Sequence, residues 1–129
     1  MKTEIIRRKR VLVVEDDAFF RGWVKQVLER QGYIVAESNN GAEAMGLFSN
    51  DDFDLILTDY RLPFMKGDEL GQWIKRIAPQ QPVVIVTGHP SFRCPDNTAD
   101  AVLFKPFEPG ELGRVIERVL LKPEQAETL

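Results

Sequence analysis

Val11-Leu12-Val13-Val14-Glu15-Asp16-Asp17 holds four apolar residues in a row, three of them β-branched, and ends on three acids. A strand with one wet face alternates apolar with polar residues, whereas a continuous apolar run of this length suits a strand covered on both faces. Shorter or similar runs recur at Ile34 to Ala36, Leu55 to Leu57, Val83 to Val86 and Ala101 to Phe104. Between and after them the apolar residues fall at helical spacing: Phe20, Val24, Val27 and Leu28; Ala44, Leu47 and Phe48; Leu70, Trp73, Ile74 and Ile77; Leu112, Val115, Ile116, Val119 and Leu120. Strand and helix signals in alternation predict an α/β domain with a doubly wound, five-stranded parallel sheet.

Glycine and proline punctuate this pattern. Gly32 and Gly41 mark the early connections, Pro79 and Pro82 stop the third helix, and Pro109 suits the first turn of the last. The Trp and Phe residues within the helical stripes read as packing. The segment from Gly88 to Asp100 is different: it carries Pro90 and Pro95, one large apolar residue in Phe92 and no period of 3.6. A shortened or irregular fourth helix is expected there, as an ordered cover or a mobile loop.

At 129 residues the chain matches one ordinary domain with one core. Three parts are expected: a basic N-terminal tail over 1–9, the domain over 10–121 and a polar C-terminal tail over 122–129 with no room for a further domain. No apolar run approaches the ~20 residues of a membrane helix, and Met1 to Arg10 is basic with no apolar stretch of signal-peptide length behind it. A cytoplasmic protein without membrane contact is expected. The single cysteine, Cys94, and the single histidine, His89, make a poor basis for a four-ligand zinc site. The net charge of −3 argues against a general nucleic-acid surface, and the basic run Arg7 to Arg10 reads as a solvated tail leading into the first strand.

In an open parallel sheet, ligands bind outside the carboxyl ends of the strands, so the residues that follow each apolar run carry the chemistry. Strand one ends in Glu15, Asp16 and Asp17, strand three in Thr58 and Asp59, strand four in Thr87 and strand five in Lys105-Pro106. Singly, each has an ordinary explanation as a helix cap, a strand residue or a solvated charge. Together they crowd carboxylates into one pocket, where two at roughly 5 Å repel by ~3 kcal/mol at an effective dielectric of about 20. A cation should offset them. Oxygen ligands without thiolate or imidazole point to a hard ion such as magnesium, which typically takes one or two carboxylates, waters and a phosphate. Lys105 supplies a second positive group.

These residues, in this order, resemble the receiver domain of two-component response regulators. The anchors are Val11 to Asp16; Asp59 with Pro63 and Gly67 behind it; Thr87-Gly88; and Lys105-Pro106-Phe107, and the resemblance runs from Arg10 to about Leu121. It implies a flavodoxin-like topology. It further implies that Asp59 is the phosphoacceptor, that Glu15, Asp16 and Asp59 hold Mg2+ with the main-chain carbonyl of Arg61, and that Thr87 and Lys105 each engage a phosphoryl oxygen. Asp17, one position beyond the acidic pair, reads as a helix cap. Physics suits these roles, because charge developing on a transferring phosphoryl group needs a metal, an ammonium and a hydroxyl directed at it.

Two departures from the family pattern stand out. Three residues before the lysine, where the family commonly has a Tyr or Phe that turns together with the threonine, this chain has Val102. Thr87 and Lys105 are 18 positions apart, several fewer than usual, which matches the irregular segment between them. The resemblance therefore implies a stand-alone phosphoacceptor switch with a remodelled output face. On that resemblance it is expected to be charged by a histidine kinase or histidine phosphotransfer protein, to signal by binding a downstream protein, and to be a stoichiometric acceptor and not an enzyme. The alternative is a receiver-like interaction module that is never phosphorylated. A flavin protein would want a Ser/Thr/Gly-rich phosphate loop where Glu15 to Asp17 stand. A phosphatase resembling the haloacid dehalogenases would want a second aspartate where Arg61 stands.

Overall fold

All five expected strands form in a computed structural model that describes residues 7–121. Residues 1–6 of the N-terminal tail and the whole C-terminal tail, 122–129, lie outside the described residues. The strands are β1 (Arg10–Val14), β2 (Ile34–Ser38), β3 (Leu55–Asp59), β4 (Val83–Thr87) and β5 (Ala101–Phe104), and the helices are α1 (Ala18–Arg30), α2 (Gly41–Asn50), α3 (Gly67–Ile77) and α4 (Pro109–Leu120). One sheet results, in the order β2-β1-β3-β4-β5, with every pairing parallel. No described helix is long and apolar enough to cross a membrane.

The alternation of side chains along each strand divides the core into two layers. Val11, Val13, Leu55, Leu57 and Val86 meet Val24 and Leu28 of α1 and Leu112 and Ile116 of α4 on one face. Leu12, Val14 and Ile56 meet Ala44 of α2 and Leu70 and Ile74 of α3 on the other. Each fully buried Leu or Ile contributes roughly 1.5–3 kcal/mol, which is why the central strands carry no polar residue until their ends. Continuous burial is confined to the centre. At the two edges Ile34 of β2 and Phe104 of β5 are each 43% exposed, because an edge strand has a neighbour on one side only.

Between β4 and β5 the expected shortened or irregular helix does not form: residues 88–100 make turns and no helix. Two prolines and a left-handed Asn97 (φ 59°) leave no room for a helical run. On β5, Leu103 packs into the α1/α4 layer. Val102 and Phe104 therefore face the opposite side, which no helix from this connection covers. The two ends of the segment are held differently. Thr98 is buried, and its carbonyl lies against the Gly71 face of α3 so closely that a Cβ at Gly71 would overlap it. Asp100 accepts from the Val83 N–H (2.8 Å) and Lys75 Nζ (2.7 Å), and its own N–H donates to the Val83 carbonyl (2.7 Å).

Candidate functional site

The parallel register alone brings the site together. Val14 pairs with Thr58, so Glu15 and Asp59, each one residue further on, emerge side by side. Asp59 pairs with Val86, and Thr87 with Phe104, so Thr87 and Lys105 follow on the next two strands. The Lys105 N–H donates to the Thr87 carbonyl at 2.8 Å and continues that ladder. Every residue the sequence singled out for this site thus lies at one edge of the sheet.

Three carboxylates converge there. Glu15 and Asp59 are buried and Asp16 is exposed, and one oxygen from each lies within 4.8 Å of the others. Burial pushes the Glu15 carboxyl up from 4.5 to about 7, and the Asp59 charge pushes in the same direction. Burial also raises Asp59, against the pull of Lys105 and of the Arg61 main-chain N–H beside it. Lys105 Nζ is 3.0 Å from Asp59 Oδ1 and 3.5 Å from Glu15 Oε1. Burial lowers the pKa of that ammonium, but the two carboxylates outweigh it and the net shift is upward. One lysine beside three acids leaves the pocket short of positive charge. An all-oxygen donor set of this size fits a hard divalent cation, and nothing in it would favour a soft one.

The neighbours have separate tasks. Asp17 points away from the pocket: its Oδ1 accepts from the N–H groups of Phe19 (3.0 Å) and Phe20 (3.2 Å) and caps α1. Its own N–H donates to Glu15 Oε2 at 3.1 Å, so the helix start and the buried acid are tied together. Thr87 is buried, and its Oγ1 accepts the His89 N–H at 3.1 Å. Asp59, Arg61, Thr87, Gly88, His89, Pro90 and Lys105 line an open cleft of about 490 Å³. Behind Asp59, a Cβ on Gly67 would overlap the Asp59 carbonyl oxygen, so this first residue of α3 must be glycine for the helix to approach the site.

Sequence reasoning missed three neighbours. Lys105 Nζ lies 4.4 Å from the centre of the Phe20 ring, a residue read only as packing. Tyr60, directly after Asp59, packs against Phe92 with ring centres 4.6 Å apart. His89 supplies the N–H that holds Thr87. The first two contacts join residues far apart in sequence, and no spacing rule signals them; the third is a local turn that Gly88 could have suggested.

Comparison with known proteins agrees with this arrangement. Residues 11–117 match the family model of the response regulator receiver domain. The response regulator receiver protein CpdR of Brucella abortus is 38% identical over 117 residues, which is 88% of this chain and 98% of CpdR. A CheY-like response regulator receiver domain protein from Methanospirillum hungatei superposes with a TM-score of 0.85 at 32% identity, over 95% of this chain and all of that one. The response regulator TrrA of Thermotoga maritima, solved in complex with Mg2+ and BeF, superposes with a TM-score of 0.82 at 27% identity, over 86% and 98% of the two chains.

Proposed function

We propose, since the chain belongs to the response regulator receiver domain family, that it is a phosphoacceptor switch charged on Asp59 by a histidine kinase or histidine phosphotransfer protein. The observation that carries this reading is the contact between Lys105 Nζ and a buried Asp59 carboxylate within a cluster of three acids. An acceptor oxygen of Asp59 attacks the phosphorus of the donor as the bond from phosphorus to the donor nitrogen breaks. The product is an aspartyl phosphate and a free imidazole. Lys105, already 3.0 Å from the carboxylate, is placed to neutralise charge developing on one phosphoryl oxygen. Thr87 already accepts a hydrogen bond from His89, which leaves its own O–H free to donate to another oxygen.

Glu15, Asp16 and Asp59, with the Arg61 main-chain carbonyl, are the residues we assign to a magnesium ion. When bound, that ion offsets the three carboxylates and the charge on the transferring group. The protein then acts as a stoichiometric acceptor and not as an enzyme, in a cytoplasmic setting, and passes its signal by binding another protein.

Intact-mass measurement after incubation with acetyl phosphate and magnesium tests this. One added phosphoryl group is expected, absent without magnesium and absent in Asp59→Asn. Equal labelling of the Asp59→Asn protein would overturn the assignment.

A further inference from the structure

Lys105 carries four rotatable bonds, and a free lysine side chain would rarely sit in one place. Its ammonium has two kinds of partner. Asp59 and Glu15 hold it by charge, at 3.0 Å and 3.5 Å. The Phe20 ring holds it through its π face, with Nζ 4.4 Å from the ring centre, inside the range of a cation–π contact. The two kinds differ in what the proposed reaction does to them. An oxygen of Asp59 becomes the bridging oxygen of an acyl phosphate when the phosphoryl group arrives, and a dication among the acids would compete with Lys105 for Glu15. Neither event alters the ring.

The ring is itself well fixed. Phe20 stacks on Trp23 (5.8 Å, 26°) and meets Phe107 edge to face (5.9 Å, 73°), while Trp23 and Phe107 close the triangle at 5.8 Å. Its backbone N–H is capped by Asp17 at 3.2 Å, and the Asp17 N–H is bonded to Glu15 at 3.1 Å. Helix start, acid and ring are thus linked by direct contacts. A partner that is uncharged, fixed and indifferent to the reaction is suited to keep an ammonium at its post while its ionic partners change.

We infer that Phe20 is a positioning residue for the phosphoryl transfer, acting through Lys105: its ring holds the ammonium where the phosphoryl oxygens will develop charge. This rests on the reading of Lys105 as a phosphoryl partner. The test compares the full chain with Phe20→Tyr, which keeps a π face, and Phe20→Leu, which keeps only apolar volume. Labelling by acetyl phosphate should slow about three- to tenfold in Phe20→Leu and stay within about twofold of the parent in Phe20→Tyr. Urea unfolding confirms that all three proteins are folded during the assay.

A second readout needs neither metal nor phosphodonor. The Lys105 Cε protons, assigned by NMR with Lys105→Arg as a blank, should show an upfield ring-current shift in the parent and in Phe20→Tyr. That shift should vanish in Phe20→Leu. Labelling of Phe20→Leu at the parental rate, or slowing of Phe20→Tyr as far as Phe20→Leu, would overturn the role. So would an ordinary Lys105 shift in the parent. Failure of every protein to label would overturn the phosphoacceptor reading instead, and with it the role of Phe20 in transfer, even where the ring-current shift places the ring over the ammonium.

Discussion

The pocket at the strand ends and the segment that leaves it after Thr87 are neighbours held by different means. In the pocket, Glu15, Asp59 and Thr87 are buried, their backbones belong to parallel ladders or follow directly from them, and Lys105 bridges two of the acids. In residues 88–96, Gly88, His89, Pro90, Ser91, Arg93, Pro95 and Asp96 are exposed. The hydrogen bonds described there are local ones, such as Phe92 N–H to the His89 carbonyl (3.0 Å) and Ser91 N–H to His89 Nδ1 (3.3 Å). The Phe92 ring on Tyr60 ties it to the body. From Thr98 onward the segment is anchored again. Chemistry that depends on sub-ångström placement sits on the stable part, and the part able to respond sits among exposed turns with few buried contacts.

The two glycines of α3 test this contrast most harshly. In Gly67→Ala the new methyl meets the Asp59 carbonyl inside the ladder, which has no room to move, and a loss of about 3 kcal/mol is expected in urea unfolding. In Gly71→Ala it meets the Thr98 carbonyl, which is anchored by burial but lies outside any strand ladder and adjoins the exposed turns, and about 1–2 kcal/mol is expected. A larger cost for Gly71→Ala would mean that the anchored end of the segment is stiffer than the ladder beneath the pocket.

A second, somewhat smaller effect comes from pH. Glu15 is raised from 4.5 to about 7, so the folded protein keeps a proton there that the unfolded chain releases. Its contribution to stability is present below about pH 4.5 and is lost as the pH rises through about 7, by about 2–3 kcal/mol in the absence of divalent metal. Asp59, raised as well, adds in the same direction. Urea unfolding in chelator across that window should show the decline. Glu15→Gln should flatten it and magnesium should oppose it; an unchanged slope in Glu15→Gln would place the titrating group elsewhere.

Much of the pocket was legible because it depends on the simplest signals in the chain. Val11 to Val14 is apolar at every position since both faces of β1 are covered, and the parallel sheet then forces Glu15, Asp59, Thr87 and Lys105 to one edge. That no full helix would form between β4 and β5 was legible in Pro90 and Pro95, but the complete absence of even a shortened one was not. What could not be read were contacts between side chains distant in sequence. Phe20 has the same helical spacing as Val24 and Leu28, and only the fold shows that its ring lies beneath Lys105. Thr98 is a polar residue in a proline-containing loop, and nothing local indicates that α3 buries it.

Asp16 and Asp17 sharpen the boundary of the pocket by a smaller margin. Asp17→Ala removes the cap of α1 and should cost about 1 kcal/mol of stability while magnesium binding survives in calorimetry. Asp16, exposed within the three-acid cluster, should show the reverse: Asp16→Ala weakens magnesium binding at little cost in stability. Binding lost in Asp17→Ala and kept in Asp16→Ala would shift the assigned site by one residue.

The switch itself is read in local protection and not in global stability. A phosphoryl oxygen that engages the Thr87 hydroxyl offers a charge-assisted bond of ~1.5–3 kcal/mol, enough to draw Thr87 from its contact with His89 and disturb the exposed turn behind it. Val102, half-buried, β-branched and restricted in its rotamers, has no ring to move in response. Amide hydrogen exchange with and without magnesium and beryllofluoride is the most direct test. The expected result is altered protection in residues 88–96, with 97–100 and β5 unchanged. Altered protection confined to β5 and α4, with 88–96 unaffected, would contradict the division between a fixed pocket and a responsive segment.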